Sequence, residues 1–161
     1  RLAVGGPSND DAGPWAGHVR VFEWSGGDWV QLGADIDGDT RENWFGKSVS
    51  LSSARKRLAI GAVSKVGGGD YTGLVRVYQW SETAWVQIGT DLDGEAEGDA
   101  FGESVALSSN GNRLAVGAFF DHQETVLPPD HGGDGNGGGP RHSFSLPFQR
   151  GWSGSRRCGC A

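Results

Sequence analysis

Two clusters of acidic side chains are the residues of this chain whose type and spacing most suggest chemistry. Carboxylates that converge around a glycine turn can bind a hard cation such as Ca²⁺. Two or three carboxylates on an exposed turn predict weak binding, with a Kd on the order of 10⁻⁴ to 10⁻³ M. The alternative is that Asp and Gly only form a turn between two strands. The candidate calcium ligands are Asp35, Asp37 and Asp39 in the first cluster and Asp91, Asp93 and Glu95 in the second.

Two aromatic residues, Trp15 and Tyr71, are candidate ligand-binding residues. Each precedes a glycine in a glycine-containing loop, and the two positions are equivalent in a sequence repeat described below. An exposed aromatic ring in a loop offers a flat apolar surface on which a sugar can stack. The alternative is that both rings only cap the ends of a sheet.

No arrangement of residues in the sequence predicts catalysis. The four histidines have neither a regular spacing nor the spacing of metal ligands, and no Ser or Cys lies in a nucleophile motif. The formal net charge of -6 argues against nucleic acid as a partner, because phosphate binding requires a basic face. No apolar run approaches the roughly 18 residues of a membrane span. We therefore expect a non-enzymatic chain with no resident cofactor beyond a weakly bound calcium ion.

These candidate residues lie in a repeat of 56 residues without gaps. The segment that begins at Arg1 returns at Arg57 and again at Arg113. Each unit contains four short segments rich in Val, Ile, Leu and aromatic residues, separated by Gly, Asp, Asn and Ser, which is the pattern of strands and turns. With 29 glycines in 161 residues and no sustained helical periodicity, the sequence predicts an all-β fold.

The apolar pattern also predicts how the sheets pack. Leu74, Val75, Val77 and Tyr78 are apolar on both faces of one strand, which requires a sheet covered on both sides. Stacked four-stranded antiparallel sheets of this kind form β-propeller blades, so we expect a β-propeller fragment. Gly46 and Gly102 each follow an aromatic residue at the start of a strand, where the missing side chain permits a tight turn or close approach between blades.

Larger residues recur within the strands themselves. Tryptophans in two strands of each unit are expected to form the core between blades. Arginines in the apolar strands are expected to pair with a carboxylate or carbonyl, because unpaired burial of a cation is costly. The recurring pairs are Trp24 with Trp80, Trp29 with Trp85, and Arg20 with Arg76.

The three recurring motifs of the unit resemble the FG-GAP repeat of the integrin alpha-chain N-terminal β-propeller. They are Phe45-Gly46-x-Ser-Val, Arg57-Leu-Ala-Ile-Gly-Ala and Gly73-x-Val-x-Val-Tyr. The resemblance covers residues 1–123. It implies a partial blade at 1–36, a complete blade at 45–92 and a partial blade at 101–118.

The same resemblance implies a function and a location. It implies a protein-binding or carbohydrate-binding module for adhesion, extracellular or at the cell surface, without a signal peptide in this stretch. The alternative is a propeller segment of a secreted hydrolase whose active residues lie elsewhere. The calcium loops of integrins would fall at 53–56 and 109–112, which contain no carboxylate here. Blade faces left without a neighbour are expected to favour self-association.

Residues 124–161 do not continue the repeat. The composition changes to Gly, Pro, Arg and Ser with little to bury, which predicts a disordered tail. The pattern stops in the middle of a blade. A shifted reading frame or read-through into non-coding sequence is therefore a hypothesis for this segment.

Overall fold

The fold was analysed in a computed structural model that describes residues 1–54, 56–64 and 71–119, together with the backbone of one strand at 143–147. Within these ranges the chain is all-β, and no helix there is long and apolar enough to span a membrane. The strands are β1 (Leu2–Gly6), β2 (His18–Ser25), β3 (Asp28–Gln31), β4 (Ile36–Asp37), β5 (Ser48–Leu51), β6 (Arg57–Ala62), β7 (Leu74–Trp80), β8 (Trp85–Gln87), β9 (Leu92–Asp93), β10 (Ser104–Leu107), β11 (Arg113–Gly117) and β12 (Ser143–Pro147).

The strands form three sheets in which all the ladders are antiparallel. The first sheet has the order β1-β2-β3, and β4 pairs with β2. The second has the order β5-β6-β7-β8, with β9 paired to β7, and the third has the order β10-β11-β12. The predicted all-β class with antiparallel sheets is confirmed.

The turn between β2 and β3 illustrates how local sequence sets these ladders. Ser25 pairs with Asp28, which leaves a two-residue loop of Gly26 and Gly27. Both glycines have positive φ, at 63° and 99°. A two-residue hairpin turn of this type matches the right-handed twist of the strands and needs residues that tolerate left-handed backbone.

The second sheet is buried on both faces. On one face, Leu58, Ile60 and Leu74 pack in a cluster with Val19 and other residues of the first sheet. On the other face, the cluster contains residues of the second and third sheets, namely Ala59, Val75, Val77, Leu114 and Val116. Leu74, Val75, Val77 and Tyr78 are all buried. The expectation of a sheet covered on both sides is confirmed.

Pairs of glycines bring consecutive sheets close together. Gly5 of the first sheet lies against Gly46, and Gly61 of the second sheet lies against Gly102. A Cβ atom on Gly5 would overlap the carbonyl oxygen of Gly46, and one on Gly61 would overlap that of Gly102. The predicted close approach at Gly46 and Gly102 is therefore confirmed, and side chains at these positions would push the sheets apart.

A strand lies inside the segment that the sequence predicts to be a disordered tail, residues 124–161. Ser143–Pro147 pairs with β11, placing Phe144 opposite Val116 and Leu146 opposite Leu114. The edge of β11 offers unpaired backbone groups to which such a segment can pair. The disorder of residues 124–161 stays a prediction. The remaining residues of 124–161 lie outside the described part of the chain.

Candidate functional site

The first acidic cluster is organised around Asp35, which follows β3. The Nε atom of Arg20 donates a hydrogen bond to Asp35 Oδ2 at 2.8 Å. The side-chain amide of Gln31 donates to Asp35 Oδ1 at 2.6 Å. The hydrogen bond from Arg20, followed by that from Gln31, lowers the pKa of Asp35 below its ordinary value. Asp35 is therefore held ionised and oriented by its own sheet.

The second sheet repeats this arrangement one unit later. Arg76 donates from Nε and Nη2 to the two oxygens of Asp91, both at 2.9 Å, and Gln87 donates to Asp91 at 2.8 Å. Arg76 Nη2 also donates to Asp39 Oδ2 at 2.7 Å. Burial by itself would lower the pKa of Arg76, but the hydrogen bonds to Asp91 and Asp39 raise it above the ordinary value. The expected pairing of the strand arginines with carboxylates is confirmed.

The six predicted calcium ligands therefore have different surroundings. Asp35, Asp39 and Asp91 accept hydrogen bonds from arginine, which supplies positive charge where a bound cation needs negative charge. Asp37, Asp93 and Glu95 are exposed at the turns. The structure also directs Asp39 away from its own turn and onto the second sheet. Calcium binding at these turns stays a prediction.

A histidine joins the first acidic cluster. His18 pairs with Asp37 across β2 and β4, and His18 Nδ1 lies 3.8 Å from Asp35 Oδ2. One possible ligand atom from each of His18, Asp35 and Asp37 lies within 4.8 Å of the others. His18 Nδ1 is buried and forms no hydrogen bond. The sequence alone does not indicate that His18 lies beside Asp35 and Asp37. The histidine is not repeated, because Leu74 occupies the equivalent position in the next unit.

The predicted ligand-binding residues, Trp15 and Tyr71, are exposed on equivalent loops. Trp15 has a φ of 52° and Tyr71 a φ of 63°. Positive φ in a bulky residue is a rare conformation that costs about 1–3 kcal/mol and persists only where the surrounding structure imposes it. Asp10 Oδ1 accepts a hydrogen bond from the Trp15 backbone N–H at 2.7 Å and helps to fix the first loop.

A third aromatic residue, Trp44, lies between these two loops. Its backbone N–H donates to the carbonyl oxygen of Trp15 at 3.0 Å. Its ring meets the ring of Tyr71 edge to face, with centroids 6.5 Å apart and planes at 75°. Trp44 also has positive φ, at 55°. We call Trp15, Trp44 and Tyr71 the aromatic edge.

Sequence reasoning missed Trp44. The equivalent residue in the next unit is Ala100, so the tryptophan does not recur. The feature of the sequence that could have identified Trp44 is a large aromatic residue immediately before Phe45-Gly46, at a position where the next unit has a small residue. Ala100 shares the unusual backbone, with a φ of 49°, so the loop conformation belongs to the repeat and the ring is specific to this unit.

The strand tryptophans divide into two groups. Trp80 and Trp85 lie against the first sheet, where Trp80 covers Gly33 and Trp85 Nε1 donates to the carbonyl oxygen of Leu32 at 3.0 Å. The predicted core role is confirmed for these two. It is wrong for Trp24 and Trp29, which are exposed. The reason is that no other described part of the chain covers their face of the first sheet.

Comparisons with known proteins do not decide between these possible sites. No family model matches the sequence, and no curated protein matches it. The assignment of a function therefore depends on the residues and contacts described above.

Proposed function

We propose that this chain is a portion of an FG-GAP-type β-propeller that serves as a non-enzymatic binding module, extracellular or at the cell surface. Three features support the propeller: the 56-residue repeat, the three antiparallel sheets in series, and the burial of the second sheet on both faces. In this proposal the second sheet is the complete blade. Its ligand is a glycan or a protein.

The aromatic edge is the observation that carries the binding proposal. Trp15 and Tyr71 remain about half-exposed, although most large apolar side chains of the second sheet are buried. Their backbones adopt an unfavourable conformation at equivalent positions. Strain that repeats with the structural unit and holds large rings toward solvent suggests a surface selected for contact with a ligand.

The chemistry of these rings fits a ligand with an apolar face and a polar rim. Trp and Tyr supply a large rigid contact area and each carries one hydrogen-bonding group, which is why they are enriched at binding surfaces. The edge-to-face contact of Trp44 supports the ring of Tyr71 from the side. A pyranose ring or an extended peptide segment can therefore lie along the aromatic edge.

Binding to an array of immobilised glycans, with a library of displayed peptides as the second arm, tests the proposal. The double variant Trp15→Ala/Tyr71→Ala should bind at least about tenfold more weakly, because an aromatic hot spot contributes about 2 kcal/mol or more. Trp24→Ala is the matched control, since Trp24 is similarly exposed but lies in β2, outside the aromatic edge.

Two results would contradict the proposal. One is an equal loss of binding in Trp24→Ala, which would move the contact away from the aromatic edge. The other is hydrolysis of a bound glycan by the chain itself, which would show that the chain is an enzyme and not only a binding module.

A further inference from the structure

His18 and the residue beside it both differ from their equivalents in the next unit. His18 pairs with Gly6 across β1 and β2, whereas Leu74 pairs with Ala62 across β6 and β7. A Cβ atom on Gly6 would lie only 3.0 Å from Cδ2 and Nε2 of the imidazole ring. The first sheet therefore has a glycine that leaves space and a histidine that occupies it, where the second sheet has alanine and leucine.

The imidazole ring of His18 places one nitrogen beside a carboxylate to which it is not hydrogen-bonded. Its Nδ1 atom lies 3.8 Å from Asp35 Oδ2, beyond the roughly 3.2 Å of a hydrogen bond. Nδ1 is buried and has no hydrogen-bond partner among the described residues. A buried polar atom without a partner costs free energy. A cation bound between Nδ1 and Oδ2 would supply that partner.

Asp37 adds a third possible ligand at the same place. It lies directly opposite His18 across β2 and β4, so both side chains leave the same face of the sheet. One possible ligand atom from each of His18, Asp35 and Asp37 lies within 4.8 Å of the others. Bonds of about 2.0–2.1 Å to a tetrahedral ion place its ligand atoms about 3.4 Å apart. Small side-chain rotations would therefore close these three residues around an ion.

The surrounding sheet holds the two carboxylates in position. Ile36, which lies between them in the chain, is 8% exposed and packs in a core cluster with Val19. Arg20 donates to Asp35 Oδ2, and Gln31 donates to Asp35 Oδ1. Carboxylates that bind metals are themselves hydrogen-bonded by neighbouring groups that orient them. Because an ionised carboxylate has about four lone-pair sites, Asp35 can keep both hydrogen bonds while it binds an ion.

We propose that His18, Asp35 and Asp37 form a binding site for a late first-row divalent cation such as Zn²⁺, with water completing its coordination. Imidazole and carboxylate are ligands that zinc accepts, and four ligands satisfy it. Calcium instead takes six to eight oxygen ligands, so the histidine distinguishes this site from the calcium turns predicted above. The inference goes beyond the proposed binding module and does not depend on the aromatic edge.

An ion at this site would join β4 to β2. Strand β4 has only two residues, Ile36–Asp37, and its ladder to β2 contains two residue pairs. A cation that binds the folded chain and not the unfolded chain stabilises the folded state in proportion to its affinity. Excess zinc should therefore raise the Tm of the protein through this site.

Zinc titration of the full chain tests the proposal. Every protein in the test carries Cys158→Ser and Cys160→Ser, because cysteine thiolates bind zinc tightly and would obscure a second site. Calorimetry measures the zinc affinity, and thermal unfolding with and without zinc measures the change in Tm. NMR spectra of the histidine rings, in which the signals of His18 are identified by their loss from His18→Leu, show directly whether zinc binds this ring.

Three variants of this parent protein separate the ligands from their surroundings. His18→Leu introduces the residue that the second sheet has at the same position, and Asp37→Asn removes the charge of the second carboxylate. Asp93→Asn is the matched control, because Asp93 is the exposed equivalent of Asp37 and lies opposite Leu74 instead of a histidine.

The expected result is a site at which zinc shifts the ring signals of His18. His18→Leu and Asp37→Asn should each weaken zinc binding by at least about tenfold, since even the loss of an outer-shell partner weakens metal binding 10–100-fold. Both variants should also lose the rise in Tm with zinc. Asp93→Asn should match the parent in both measurements. His18→Leu should bind calcium as the parent does.

Three results would overturn the proposal. The first is that the ring signals of His18 stay unchanged in excess zinc, and this measurement on the parent decides the matter even if a variant fails to fold. The second is an equal zinc affinity in the parent and in His18→Leu. The third is a loss of zinc binding in Asp93→Asn as large as that in Asp37→Asn, which would indicate a general effect of negative charge.

Discussion

Arg76 and Asp39 join two consecutive sheets: Arg76 Nη2 donates to Asp39 Oδ2 over 2.7 Å, although the residues are 37 positions apart. Arg76 lies in β7 of the second sheet, and Asp39 follows β4 of the first. The guanidinium group also lies over the Phe45 ring, 5.7 Å from its centroid. Arg76 therefore holds the segment that follows β4 against the second sheet, through a hydrogen bond to Asp39 and a contact with the Phe45 ring.

Replacing this arginine should destabilise the protein. Arg76→Gln removes the guanidinium that binds Asp91 and Asp39. Because these contacts are only partly buried, the free energy of unfolding should fall by about 1.5–3 kcal/mol, the range for hydrogen bonds to charged groups. Arg20→Gln is the matched control, and its more exposed pair should contribute about 0–1 kcal/mol. Urea denaturation of both variants measures the difference. An equal decrease in the free energy of unfolding for both variants would show that the contact between Arg76 and Asp39 does not contribute to stability.

The two groups of strand tryptophans should respond differently to truncation. Trp80→Ala removes a ring packed between the first and second sheets and should cost about 3–5 kcal/mol. Trp24→Ala removes its exposed equivalent and should change the free energy of unfolding by no more than about 0.5 kcal/mol. Thermal and urea unfolding provide the measurement. A large effect of Trp24→Ala at low protein concentration would mean that its ring is buried.

The sequence predicts those parts of the structure that depend on local periodicity. The apolar run at Leu74–Tyr78 predicts a strand buried on both faces, and an arginine within it predicts a carboxylate or carbonyl partner. Both expectations hold. The sequence does not predict that Asp39 is a second partner of Arg76, because this contact depends on how consecutive sheets stack. It also cannot separate Trp24 from Trp80, since their local sequences match and only their neighbours differ.

The candidate site was only partly predictable for a similar reason. Trp15 and Tyr71 stand out because they recur at equivalent loop positions. Trp44 and His18 do not recur, and their importance comes from the neighbours that the fold places beside them. A repeat reveals the positions that every unit needs for its own structure. The residues that one unit adds to the common structure become apparent only from their three-dimensional contacts.

Asp35 should make the stability of the first sheet depend on pH. Its pKa is lower in the folded protein than its ordinary value, because of the hydrogen bonds from Arg20 and Gln31. The contribution of ionised Asp35 to folding stability is therefore fully present above the ordinary aspartate pKa. It is lost as the pH falls through the lower pKa that Asp35 has in the folded protein. Asp35→Asn should unfold more readily at neutral pH, and its stability should fall less on acidification. Urea unfolding at a series of pH values measures both, and parallel curves for the two proteins would contradict the prediction.

Calcium binding should be weak and should depend on the exposed acidic residues. Asp35 and Asp91 are bound by arginine, and Asp37 and Asp93 lie exposed at the two turns. Because a hard divalent cation needs six to eight oxygen ligands, two turns of this kind should bind with a Kd on the order of 10⁻⁴ to 10⁻³ M. Calorimetric titration of the full chain with calcium should show this affinity, and Asp37→Ala and Asp93→Ala should each reduce the heat of binding. Glu82→Ala is the control for an exposed acidic residue outside both turns. Binding in the micromolar range that survives both aspartate substitutions would place the ion elsewhere in the chain.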